Sequence, residues 1–387
     1  MDIIYLDNSA TTCPSKASLE KMREALSVSY GNAGSVHVMG NAANKLLSEA
    51  REAVGLTLGI RRPQDGQVIF TSSGSEANNL AVFGSIRAKD RRGGGKVFIT
   101  DSEHPSVDRC ADALEKEGFQ VLRVPTAGGR LDIDYIRNNC DSTTVLASFM
   151  LVNNETGALY DVQGAAAVVR EKAPKAFIHC DCVQGYLKTK FTLKSLGVDA
   201  LTVSGHKVNA PKGAGALLVT AEVIRAKRLV PVTLGGGQES GFRSGTENVP
   251  ALAAFGVAAT EGFRAMGERH EKVKRLRELL EKEISADVRI NRPERGLDCI
   301  VNLTLPDIKS ETMLNYLSGE GICISAGSAC SARAKGVSHA LTAFGLTDKE
   351  ADSSVRVSLS HLNTEDEIIR FASVLNAGVS RLARITK

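Results

Sequence analysis

The sequence has no tryptophan, and aromatic residues fill only 5% of its 387 positions. That scarcity argues against the stacking platforms on which single-stranded nucleic acid lies. A dominant charge is also missing. Lys and Arg number 48 against 44 Asp and Glu, a net charge of +4, too small an excess for a nucleic-acid footprint. No apolar run approaches the ~20 residues a membrane helix needs. The opening Met1-Asp2-Ile3-Ile4-Tyr5-Leu6-Asp7 lacks the basic start and apolar stretch of a secretory signal. The chain is therefore expected to be cytoplasmic and to bind neither a membrane nor nucleic acid directly. No tandem repeat or low-complexity tract is present. At 43% hydrophobic and 24% charged residues, it has the balance of an ordinary globular protein of two or three domains.

Eight cysteines are present, with no Cys-x-x-Cys pair. In a cytoplasmic chain of this size they read as thiols rather than a disulfide framework. His179-Cys180-Asp181-Cys182 looks most like a metal site. On a strand, however, alternate residues share a face, so Cys180 and Cys182 lie together and Asp181 lies opposite. Two such thiols are read as core residues, and no metal is expected.

From residue 60 to 220, β-branched runs alternate with helical patterns. Strands are expected at Val68–Phe70, Lys96–Thr100, Gln120–Val124, Thr144–Phe149, Ala176–His179, Ala200–Val203 and Ala214–Val219. Helices are expected at Ser15–Ser27, Glu76–Lys89, Ser106–Glu117 and Val162–Glu171. Such alternation implies an α/β fold with a mostly parallel, seven-stranded sheet flanked by helices. Asn248 caps a long periodic stretch from Ala251 to about Ile284, with Pro250 in its first turn. The expected organisation is a large domain over residues 15–255. A smaller α+β domain is expected over 256–387, completed by residues 1–14.

Three features fall at the carboxyl ends of strands, where an α/β sheet holds its ligands. Ser72-Ser73-Gly74-Ser75 opens a helix, and its free N–H groups would cup a phosphate. Asp181 ends one strand, and could hold a cationic ring nitrogen or a metal, or merely cap a turn. Lys207, in Ser204-Gly205-His206-Lys207, ends the next. An amine at a buried strand end points to a lowered pKa and Schiff-base chemistry. Acid, amine and phosphate cup together suit pyridoxal phosphate.

At this point the sequence resembles the cysteine desulfurases of the NifS/IscS type, which are fold-type I pyridoxal-phosphate enzymes of the class V aminotransferase family. The similarity runs in order through nearly the whole chain: Tyr5-Leu6-Asp7-Asn8-Ser9-Ala10-Thr11-Thr12, Gly74-Ser75-Glu76-Ala77-Asn78-Asn79, Glu103-His104 and Asn153-Asn154-Glu155-Thr156-Gly157. It continues through Asp181-Cys182-Val183-Gln184, Ser204-Gly205-His206-Lys207, Arg243-Ser244-Gly245-Thr246 and Ser325-Ala326-Gly327-Ser328-Ala329-Cys330.

The resemblance implies a role for each matching residue. Lys207 would carry pyridoxal 5'-phosphate covalently, Asp181 would pair with its ring nitrogen, and His104 would stack on the ring and move protons. Gln184 would bond the phenolic oxygen. Gly74, Ser75, Ser204 and His206 would hold the phosphate, with Thr246 reaching the site of a neighbouring subunit in a homodimer. Asn154 and Arg356 would grip the carboxylate of L-cysteine. Cys330 would take the substrate's sulfur as a persulfide and pass it to an acceptor, such as an iron–sulfur scaffold or a tRNA-thiolation protein. The run of small residues from Ser325 to Arg333 reads as a mobile loop. A selenocysteine lyase or another class V aminotransferase-type enzyme is the nearest rival, and a non-catalytic sulfur-transfer platform the next. Two departures from the family pattern stand out: Ser75 replaces the commoner Thr, and Val208-Asn209-Ala210 follows Lys207 where a Gly-containing run is usual.

Overall fold

The expected strands form because their residues are apolar on both faces, which a sheet covered on both sides demands. The computed structural model describes residues 3–88, 94–327 and 337–382. Along the chain the strands are β1 (Ile4–Tyr5), β2 (Gly66–Thr71), β3 (Lys96–Thr100), β4 (Gln120–Val124), β5 (Thr144–Met150) and β6 (Phe177–Asp181). They continue as β7 (Ala200–Ser204), β8 (Gly215–Thr220), β9 (Arg289–Ile290), β10 (Ile300–Thr304), β11 (Ile322–Cys323) and β12 (Ser354–Ser358).

Seven of these build one sheet in the order β2-β8-β7-β6-β5-β3-β4. Strand β8 runs antiparallel to both its neighbours, and every other pairing is parallel. Alternation along each strand feeds two separate cores. Phe70, Phe98, Ile178 and Leu218 enter one, and Ile69, Val97, Phe177 and Leu217 enter the other. Each such side chain contributes about 1.5–3 kcal/mol of burial. Because six of the seven strands point the same way, the ends of β2, β3, β5, β6 and β7 open on one edge.

The other strands belong to a smaller unit. Strands β12, β10 and β9 form an antiparallel sheet. The chain's beginning joins them: β1 pairs parallel with β11, and Asp7 bridges Ser358. Ile4 and Leu6 sink into a third core with Leu303, Val355, Val357 and Phe371.

Two elements differ from the sequence-based expectation. The periodic stretch after Asn248 is two helices, Val249–Arg264 and Met266–Glu283, which meet at Ala265. The first is apolar on most sides and packs on helices Lys16–Ser27 and Val38–Thr57. The second turns Val273, Leu276 and Leu280 into the third core. A single straight rod could not serve both cores. Helix Val38–Thr57, 20 residues long, carried no recognised start signal. Its cap is His37, whose ring nitrogen accepts from Gly40 N–H. Among the described residues no helix is long and apolar enough to cross a membrane.

Candidate active site

The shared edge of strand ends opens on a cleft of about 190 Å³ lined by Gly74, Ser75, His104, Asn154, Asp181, Gln184, Ser204, His206, Lys207 and Arg356. Ten residues expected at the site from separate parts of the sequence thus meet in one place. Thr246 does not line this cleft; it is exposed on a loop. That loop is nevertheless tied to the phosphate cup, since Arg243 Nε donates to Glu76 Oε1 at 2.8 Å. Cys330 lies outside the described residues. The described chain before it crosses the site's border, where Ser325 and Arg356 exchange backbone hydrogen bonds.

The cup begins at Gly74, the first residue of helix Gly74–Arg87, with Ser73 as cap. A Cβ on Gly74 would stand 2.8 Å from Val183 Cγ2, so only glycine lets the turn pack against the end of β6. Opposite, the Ser204 hydroxyl is buried with no hydrogen-bond partner. Such an orphan is expensive unless a ligand completes it. A helix N-terminus facing an unsatisfied hydroxyl suits a phosphate.

Asp181 is the last residue of β6. Its Oδ1 accepts from Val183 N–H at 3.0 Å, and its Oδ2 accepts from Asn78 Nδ2 at 2.7 Å. Lys207 follows β7, and its Nζ donates to the carbonyls of Ser9 and Ala10 at 2.5 and 2.8 Å. Gln184 donates through Nε2 to Ser9 O and accepts from Lys188 Nζ through Oε1. His206 Nδ1 lies 3.2 Å from Thr11 Oγ1. Burial, helped by the charges of Lys207, Lys212 and Lys188, pulls the His206 ring down to about 4. The turn after Lys207 needs Asn209 at φ 66°, a conformation asparagine tolerates far better than most residues. Thr12 Oγ1 and the Cys13 carbonyl hold it there. This explains how Val208-Asn209-Ala210 replaces a run with glycine.

Arg356, on β12, is only 1% exposed. Its guanidinium donates to Asn154 O at 3.0 Å and to Asp7 Oδ1 at 2.8 Å, while Nε has no partner. Two segments far apart in sequence thus hold one cation at the cleft. On the far face of β6, Cys180 and Cys182 lie 3.4 Å apart in the core. Burial pushes both thiols up, and no cluster of three metal-ligating side chains exists among the described residues.

Several contributors escaped the sequence reading. Asn78 and Ser106 link Asp181 to His104, Asp7 balances Arg356, and the Ser9 and Ala10 carbonyls hold Lys207. Glu103 is buried beside them. Its Oε1 accepts from Thr100 Oγ1 and Met150 N–H, and its Oε2 has no partner. Burial and the charge of Asp181 push its carboxyl up to about 8, so it stays protonated at neutral pH. Asn78 and Glu103 sat inside quoted motifs, but nothing in their spacing distinguished them from cap or core residues.

The class-V aminotransferase family model matches residues 4–371. A cysteine desulfurase of Trichormus azollae is 35% identical over all of this chain and 95% of its own length. Among solved structures, a NifS-like protein superposes with a TM-score of 0.90 at 31% identity, covering 98% of this chain and all of its own. Another, titled SspA in complex with cysteine, gives a TM-score of 0.80 at 31% identity over 93% of this chain and all of its own. Match and geometry agree along the full length: the chain belongs to the class-V aminotransferase family and, within it, to the cysteine desulfurases.

Proposed function

We propose that this chain binds pyridoxal phosphate in the cleft and moves sulfur from L-cysteine to Cys330, leaving L-alanine. The observation that carries the reading is the convergence of Lys207, Asp181 and the unsatisfied Ser204 hydroxyl on one cavity beside a helix N-terminus. These groups fit the cofactor. Lys207 would hold it covalently and Asp181 its ring nitrogen. Gln184 would hold the phenolic oxygen, and Gly74, Ser75, Ser204 and His206 the phosphate. Thr246 from a second copy of the chain would complete the phosphate site in a homodimer. When bound, the cofactor supplies an electron-poor ring that stabilises negative charge on the substrate's carbon skeleton.

The protein's own groups then have distinct tasks. Arg356 and Asn154 bind the substrate carboxylate, the guanidinium through its two-pronged geometry. The Lys207 amine and His104 are the groups placed to move the α-proton. The Cys330 thiolate attacks the substrate sulfur. An S–S bond forms as the C–S bond breaks, the electron pair stays with carbon, and a proton completes alanine. The persulfide passes to a thiol of an acceptor protein serving iron–sulfur assembly or tRNA thiolation, in the cytoplasm. A solved relative's title records a complex with cysteine, which supports cysteine as a substrate.

Incubation with L-cysteine followed by mass analysis of the Cys330 peptide tests the reading. One added sulfur is expected, with loss of sulfide release in Cys330→Ser. An unmodified peptide, or a Cys330→Ser variant that still desulfurates cysteine, overturns it.

A further inference from the structure

His104 caps helix Pro105–Lys116 with its ring rather than with an oxygen. Its Nδ1 lies 3.1 Å from the Ser106 backbone nitrogen, which donates to it, and 2.8 Å from Ser106 Oγ. Asn78, on helix Gly74–Arg87, donates from Nδ2 to Ser106 Oγ at 2.8 Å and to Asp181 Oδ2 at 2.7 Å. The directions of these bonds follow from the chemistry of each group. A carboxylate only accepts, so Asn78 turns its NH₂ toward Asp181. A backbone N–H only donates, so Nδ1 of His104 accepts and carries no hydrogen. Ser106 Oγ, accepting from Asn78, has its one hydrogen left for the same Nδ1. Burial and the charge of Lys207 pull the His104 ring below its usual range, against the opposing charge of Asp181, so the ring is neutral at pH 7. Its hydrogen then sits on Nε2, which has no partner among the described residues.

We propose that Asn78 and Ser106 are positioning residues that run from Asp181 to His104 and lock the histidine in the tautomer whose Nε2–H is presented to the cleft. In this state His104 gives a hydrogen bond to the reacting molecule, so that of the two groups placed at the α-proton Lys207 is the one that takes it. The inference rests on the reading of the cleft given above and specifies the part His104 plays in it.

Ring-15N spectra of the full chain test the tautomer, with and without added pyridoxal phosphate, the His104 signal being assigned by its loss in His104→Gln. The Nε2–H form is expected in both samples. An Nδ1–H signal in the unliganded wild type overturns the proposal. For Ser106→Ala and Asn78→Ala, kcat is expected to fall about tenfold, one hydrogen bond's worth, with KM for L-cysteine changed by less than about twofold. Ser106→Thr should restore it. The acidic limb of the kcat–pH profile should move to higher pH in both Ala variants, because donors at Nδ1 favour the neutral ring. Variants with wild-type kcat and an unmoved profile would also overturn it. Failure of the wild type to take up pyridoxal phosphate would defeat the functional reading instead, while the unliganded spectrum still decides the hydrogen-bond chain.

Discussion

Asp181 ends one strand of the large sheet and Lys207 follows the next, whereas Arg356 reaches the same cleft from the smaller unit. The sheet side is set by register: Asp181 pairs with Thr202, and Lys207 is the third residue after the end of β7. Ladder pairing with β5 and β7 on its two flanks leaves Asp181 little freedom, and the short turn Gly205–Lys207 carries Lys207 directly off the paired end of β7. The other side depends on docking. Arg356 is held by Asp7 from the chain's beginning and by Asn154 from the loop after β5. On the proposed reading, chemistry is mounted on the rigid element, and substrate recognition on the junction between two separately packed cores. Changes to the reacting groups on the sheet side, Asp181 and Lys207, should alter reaction with little effect on folding. Changes at the junction should alter affinity and stability together.

The sharpest break of that contrast is Lys207→Ala. Turnover should fall by at least about 10³-fold and the visible band of bound cofactor should vanish, while thermal unfolding shifts little. Sulfide release and absorbance measure this, and an active variant would remove Lys207 from its role. At the junction, Arg356→Ala leaves Asp7 unpaired and should cost about 4 kcal/mol of stability. The apparent affinity for cysteine should weaken while the cofactor keeps its colour. Steady-state KM and denaturant unfolding measure both effects. A variant with normal KM would take Arg356 out of substrate recognition.

The smallest effect tests the sheet side through pH. Glu103 titrates at about 8 when folded against 4.5 as the ordinary value. The folded state therefore holds its proton where the unfolded state has lost it, and stability falls as pH rises from 4.5 to 8. His179, pulled down to about 4 by burial, has the opposite slope between 4 and 6.5. The window from 6.5 to 8 isolates Glu103. Glu103→Gln should abolish that decline, which amounts to no more than about 2 kcal/mol between pH 6.5 and 8. Melting temperature against pH reads it, and parallel curves for wild type and variant would mean that Glu103 is not held protonated.

Legibility followed the strength of local signals. Strands β2 to β8 were readable because residues buried on both faces must be apolar, and their ends then located Ser75, Asp181 and Lys207. Helix Val38–Thr57 was not, since its cap is histidine and its first two turns hold Gly40, Asn41 and Asn44. The bend at Ala265 was hidden because amphipathic periodicity does not say which core each half will meet. Arg356 looked like any strand arginine until the resemblance singled it out. Its partner Asp7 lies 349 residues away, beyond any local pattern.

By itself, then, the sequence determined the alternating α/β order, the apolar interior of the large sheet, and the amine, acid and small-residue turn at the ends of three of its strands. Each of these depends on residue types within a few positions of one another. Tertiary structure alone decided that Asn78 spans from Asp181 to Ser106, that Asp7 neutralises Arg356, and that the orphaned hydroxyl of Ser204 stands opposite a helix N-terminus. Hydrogen bonds between distant segments exist only after two cores have packed, and no periodicity along the chain records them.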